Sequence, residues 1–135
     1  MSKPYLAEIS FLYGNAYPNL KKGDCLAIQF KNPKEYIAEL IGTALLVGFG
    51  CYAGAVANGF VTALIFALAF ICMVYCVGGI CGCHFNPIIS LSMFIGKKMD
   101  ASDTVFYIIA QFIGGIIGGL FSFYMLTQVT YSSRV

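Results

Sequence analysis

Charge is what this sequence has least of. Of its 135 residues only 10% are Asp, Glu, Lys or Arg, the formal net charge is +2, and the basic side chains are dispersed. A nucleic-acid surface needs a basic stripe or patch, so that class is excluded. Histidine occurs once, and the six cysteines, at 25, 51, 72, 76, 81 and 83, contain no C-x-x-C pair. Neither a metal site nor a disulfide framework is spelled out, and most of these thiols read as small residues of membrane helices. No nucleophile stands beside a base and no phosphate-binding loop occurs, so neither an enzyme nor a cofactor is expected.

What the sequence has in quantity is apolar length. Hydrophobic residues make up 59% of the chain, gathered in runs of about 20, the length that crosses a hydrocarbon core of about 30 Å as a helix. The chain therefore reads as an all-α membrane protein whose first partner is the lipid bilayer. Residues 36–56 form the first expected span. After an Asn58-Gly59 turn signal, residues 60–77 form the second, and residues 104–126 form the third. Between the last two lies NPIISLSMFI, residues 86–95. As a helix it is only about 15 Å long, enough to reach the bilayer midplane and no further.

The stretch before it, GGICGCH at 78–84, looks built for the opposite of lipid. Irregular backbone at membrane depth survives only where it is buried in protein or lines a wet cavity, because each amide left unpaired in lipid costs several kcal/mol. Gly78, Gly79 and Gly82 are expected to let the chain descend in extended form, with carbonyls toward a lumen. Asn86 is then a helix N-cap and Pro87 the first helical residue, a helix start buried near the bilayer centre. Lys97 and Lys98 are expected to close that helix and suit the negative end of its dipole.

Residues 1–35 differ in kind. They carry Pro4, Pro18 and Pro33, five lysines, and aromatics at Tyr5, Phe11, Tyr13 and Tyr17. They read as an interfacial, cytoplasmic arm ahead of a membrane domain over 36–130 and a short tail over 131–135. A short amphipathic helix over 5–13 and a plain disordered tail both fit. No short hydrophobic core with a cleavage site precedes residue 36, so a removable signal peptide is not expected.

The motifs AELIGT (38–43), GCHFNP (82–87) and IAQFIGG (109–115), in this order on a span, span, half-helix, span pattern, resemble the first half of an aquaporin, of the major intrinsic protein family. The resemblance covers about residues 38–124. It implies a pore made of two inverted halves whose half-helix tips meet at the midplane. Each tip then presents a partial positive charge that repels cations, and its asparagine amide donates to passing water. On this resemblance the pore is lined by Phe66, by the carbonyls of Gly82, Cys83, His84 and Phe85, and by Asn86.

Phe66 falls where the family places an aromatic of its narrowing, and phenylalanine there resembles the water-selective members. A lipid-facing or core Phe66 is the alternative. Glu39 is expected to accept hydrogen bonds from the descending backbone; the alternative is a carboxylate within reach of the headgroups. Gln111 reads as a structural hydrogen-bonder, Pro87 and Ile88 as tip residues, and His84 as a residue that orients the loop. Cys81 and Cys83 are candidate mercurial targets near the lumen, against simple burial. Gly114/Gly118 and Gly115/Gly119 form overlapping GxxxG patterns, so that helix is expected to approach a neighbour closely.

Two departures from the family pattern stand out. Ile88 occupies the place where the family usually has alanine, which crowds a tip-to-tip contact. The 135 residues also hold no second Asn-Pro-Ala motif, and Ile89 stands where an arginine follows the family's second one. The expected function is a channel half for water or small neutral solutes, active after assembly as a homo-oligomer or with a complementary half-channel chain. The alternatives are a non-conducting, truncated membrane or assembly protein and a glycerol-type facilitator half. With a cytoplasmic N-terminus, seven basic residues lie inside and only Arg134 outside, a bias that argues against insertion both ways up.

Overall fold

The computed structural model describes residues 32–133, which form four α-helices and no β-strand. The helices are α1 (Pro33–Val56), α2 (Gly59–Cys81), α3 (Pro87–Ile95) and α4 (Ala101–Ser132). Three of them, α1, α2 and α4, are long and apolar enough to cross a membrane. The 9-residue α3 is not, since at 1.5 Å per residue it rises only about 14 Å. The N-terminal arm expected over 1–35 lies outside the described residues, apart from its last four positions.

Each helix start is written in local chemistry. Pro33 occupies the first turn of α1, where its missing N–H would have had no partner. Asn58 caps α2 through its side-chain oxygen, which accepts Val61 N–H at 3.0 Å. Asp100 caps α4 in the same way, accepting Asp103 N–H at 2.8 Å. Two spans begin ahead of their apolar runs. The third opens at Ala101, three residues early, where the Asp100 cap sets the start, and the first opens at Pro33, a residue suited to a first helical turn.

The end of α2 is the larger correction. Gly78 and Gly79 were expected in an extended descent, yet the helix runs through both to Cys81, and Gly82 N–H still pairs with Gly78 O at 3.1 Å. In an apolar surrounding a paired amide outweighs the roughly 1 kcal/mol by which glycine disfavours a helix. Only Gly82, at φ 73°, leaves the helix, adopting the left-handed conformation that suits glycine at a C-cap. α3 likewise ends by backbone bonds from residues beyond it. Lys97 N–H reaches Phe94 O and Lys98 N–H reaches Met93 O, both at 2.9 Å. The two lysines sit past the last turn of α3 and not within it.

α1 packs most extensively on α4, less on α2, and α3 rests on α4. The close seam uses one of the two glycine pairs. A methyl group at Gly114 would overlap Leu40 O, and one at Gly118 would overlap Ala44 O, whereas Gly115 and Gly119 face open space. The start of α1, the ends of α2 and α3 and the start of α4 share one side of the molecule. There Tyr36 Oη donates to Asp103 Oδ1 at 2.6 Å, and Tyr107 Oη lies 2.9 Å from Cys81 O and 3.1 Å from Glu35 Oε2.

Candidate functional site

Five residues, 82–86, form an irregular connecting strand, with no β pairing, that carries the chain from the end of α2 to the start of α3. Besides Gly82, Cys83 (φ 53°) and Phe85 (φ 46°) adopt the left-handed region, which costs a residue with a Cβ of order 1–3 kcal/mol. Such a backbone persists only when its surroundings over-determine it. The anchor is Glu39, buried in α1 at 0% exposure. Its Oε1 accepts His84 N–H at 2.7 Å and its Oε2 accepts Phe85 N–H at 2.7 Å. The Gln111 amide adds a third donor to Oε2 at 2.8 Å. Three hydrogen bonds converging on one carboxyl group, at about 1 kcal/mol or more each, together offset a cost of the order of the strained dihedrals.

The same network pins the half-helix. The second N–H of the Gln111 amide donates to Ser90 Oγ at 3.0 Å, and Ser90 Oγ lies 3.0 Å from His84 Nδ1. The ring of His84, 1% exposed, packs with its centroid 5.2 Å from that of Tyr107, the two planes tilted by 51°. α1, the strand, α3 and α4 are thus tied through one carboxylate, one amide, one hydroxyl and one imidazole. Gly42 completes the cradle: a Cβ there would occupy the place of the Phe85 ring, so this glycine lets the strand lie against α1. Ser90 and Gly42 were not singled out from the sequence. A lone serine in an apolar helix carries no signal of its own, although its spacing of four from Asn86 puts it one turn below the cap.

At the tip, Asn86 Oδ1 accepts Ile88 N–H at 2.9 Å and caps α3. Because the cap consumes the oxygen, the side-chain NH2 keeps both donors available on an exposed residue. No hydrogen bond among the described residues reaches the carbonyl oxygens of Gly82, Cys83 or Phe85. Ile88 stands 71% exposed beside the tip.

One expectation about side chains is corrected. Cys81 and Cys83 are 0% and 6% exposed, their sulfurs 3.6 Å from Val77 O and 3.5 Å from Met73 O. A thiol packed against helical carbonyls is not a lumen target for mercury. Phe66, on α2, lays its ring over Gly50 of α1, where any Cβ would collide with it, and keeps 39% of its surface exposed. The strand residues Gly82, Cys83, His84 and Phe85 are themselves buried, so Asn86 is the first of the series to emerge. Among the described residues no group of His, Cys, Asp and Glu could hold a metal ion.

A short half-helix capped by Asn-Pro, a strand hung on a helical glutamate and a glycine seam between two spans now stand together. The family described as Major intrinsic protein matches residues 27–134. The chain belongs to the major intrinsic protein family. It is a multi-pass membrane protein, with three of its helices long enough to span. It is similar to glycerol uptake facilitator protein-like 6 of Lactiplantibacillus plantarum, 44% identical over 86 residues, 62% of this chain and 40% of the relative. It is also similar to aquaporin Z of Rhodopseudomonas palustris, 37% identical over 93 residues, 63% of this chain and 39% of the relative. Aquaporin Z of Bradyrhizobium diazoefficiens is 36% identical over 92 residues, 62% and 38% of the two chains. The chain spans about two fifths of the length of these curated relatives.

Proposed function

We propose that this chain is one half of the wall of a passive channel for water or small neutral solutes, completed by a second half in the opposite orientation. The observation that carries the reading is the set of unpaired polar groups in apolar territory. The carbonyls of Gly82, Cys83 and Phe85 accept nothing within the described residues, and the Asn86 amide has two free donors. Polar backbone at membrane depth is stable only against water or protein, so a wet passage beside this strand accounts for it. Acceptors along the strand and donors at its tip can replace the partners that a water molecule gives up on entry. The positive end of α3 then opposes cations.

In this reading Gly82, Cys83, His84, Phe85 and Asn86 line the passage through backbone and amide, and Phe66 narrows it from α2. Glu39, Pro87, Ile88 and Gln111 hold the tip in place. The N-terminus is cytoplasmic, on the side of the seven basic residues. The bias toward one orientation favours a complementary chain over an inverted copy of the same chain. The exposed Ile88 keeps a second reading open, an assembly subunit that retains the fold and conducts nothing, because a bulky side chain at the tip opposes close approach of another tip.

Purified protein in liposomes given an osmotic step discriminates these readings. Shrinkage faster than that of empty vesicles, abolished by disrupting the tip at Asn86, supports the channel. Shrinkage no faster than that of empty vesicles, with the protein inserted and folded, removes it. Repeating the step with glycerol as the osmolyte separates a water pore from a glycerol-type facilitator, because re-swelling after shrinkage reports glycerol entry.

A further inference from the structure

Beside the α3 tip lies an open recess of about 390 Å³ between Thr43 of α1, Asn86 and Gln111 of α4, its remaining wall apolar and including Phe112, Gly115 and Ile116. Two of these residues bring buried polar atoms that no other described residue satisfies. Thr43 Oγ1 and Gln111 Oε1 have no hydrogen-bond partner, and their residues are 4% and 2% exposed. A buried hydroxyl or amide oxygen left alone costs roughly 1–3 kcal/mol.

Neither atom has an evident local remedy. Both hydrogens of the Gln111 amide are committed, to Glu39 Oε2 and Ser90 Oγ. Rotating the amide would bring its oxygen against the Glu39 carboxylate, so Oε1 stays without a donor. Thr43 is more telling. A helical threonine normally returns its hydroxyl to a carbonyl one turn back in its own helix. The other described threonines do so: Thr62 to Asn58 O, Thr104 to Asp100 O, Thr127 to Tyr124 O and Thr130 to Leu126 O, at 2.7 to 3.0 Å. Thr43 forgoes that bond, and it is the threonine that faces the recess.

We propose that Thr43 Oγ1 and Gln111 Oε1 bind an ordered water molecule, or the hydroxyl of a small solute in its place, in this recess beside the half-helix tip. A hydroxyl-bearing guest fits both atoms, since its one hydrogen goes to Gln111 Oε1 while its oxygen accepts from Thr43 Oγ1–H; water, with two hydrogens, fits in the same way. The walls are mostly apolar, but the recess has room for more than one water, and the two unpaired oxygens with the Asn86 side chain give a guest polar partners, the conditions under which buried water becomes part of a structure. Lipid acyl chains offer neither a donor nor an acceptor, so they do not answer the two oxygens. The guest links α1 to α4 across the tip, whether or not solute passes through the molecule.

Water-edited solid-state NMR of the full chain in acyl-deuterated bilayers tests this. Polarisation transfer from water is expected to reach Thr43 and Gln111 as quickly as it reaches Asn86, and well ahead of the lipid-facing Ile109. Thr43→Val is expected to lower the transfer at Gln111 to the level of Ile109, and Thr43→Ser to keep it. Replacing water by deuterium oxide and adding protonated glycerol distinguishes the two hydroxyl sources, either of which supports the site. Wild-type Thr43 and Gln111 as dry as Ile109 in both arms, or in contact only with protons of another protein chain, overturns it. The readout is independent of conduction: a dry recess in a conducting channel refutes this site alone, and a wet recess in a non-conducting protein refutes the pore alone.

Discussion

Glu39 shows how much one residue decides. Three N–H groups converge on its carboxylate, from His84, Phe85 and Gln111. Glu39→Gln replaces one accepting oxygen by an NH2 that faces a backbone donor. The strand loses an anchor it needs to hold two left-handed residues, and stability is expected to fall by about 2–3 kcal/mol. Thermal unfolding in mild detergent checks it, and a midpoint matching wild type refutes the anchoring role. A glutamate inside an apolar run was conspicuous in the sequence because its cost demands a partner. Its partners are 45, 46 and 72 residues away, and no local pattern points to them. Ser90 and Thr43 were not legible, since a small hydroxyl residue in an apolar helix is ordinary until burial and missing partners give it a role.

At the scale of the element, α3 is the piece whose existence follows most directly from sequence. Its length cannot span, and Asn86-Pro87 is a helix start by conformation and by capping chemistry. Substitutions there separate two functions of one side chain. Asn86→Asp keeps an oxygen for Ile88 N–H and so is expected to leave the fold intact, but it removes both amide donors and places a negative charge at the tip. Proton or cation leak through reconstituted protein is expected to rise, and an unchanged leak in a conducting preparation eliminates the role given to the asparagine. Asn86→Ala loses the cap as well and is expected to cost about 1 kcal/mol of stability.

The glycine seam shows the limit of reading elements. Gly114/Gly118 and Gly115/Gly119 are equivalent as patterns, and only the packed structure assigns the first pair to α1. Gly118→Val is expected to push α4 off Ala44 O and destabilise the fold by about 1–3 kcal/mol. Gly115→Val, with open space around it, is expected to leave the unfolding midpoint unchanged. Equal effects would show that the seam has been assigned to the wrong face. The end of α2 departs from its sequence pattern for a related reason: a glycine pair permits an extended chain, but the apolar surroundings reward the paired helix.

For the whole molecule, the informative surface is α2, whose most apolar window has no buried residue. Lipid or a partner must cover it, along with the open face at Gly115 and Gly119. Cross-linking in mild detergent is expected to give a mass above the 14.6 kDa of one chain, and a monomer that still conducts refutes an assembled pore. Reporters fused to the C-terminus are expected to show one orientation only, as the seven-to-one charge bias implies. Finding both in equal amounts would restore the self-complementing inverted dimer.

Hydrophobic length and capping chemistry are local properties, so the sequence by itself determined three spans, one stub too short to cross and the residue that starts it. Which thiol is buried, which glycine pair meets a neighbour, where α2 lets go and which hydroxyl is left without a partner were decided only by tertiary structure. Each of those outcomes depends on what the chain brings up from tens of residues away. In an apolar medium every polar atom must find a partner somewhere, and the identity of that partner is a matter of packing, which a linear pattern does not contain.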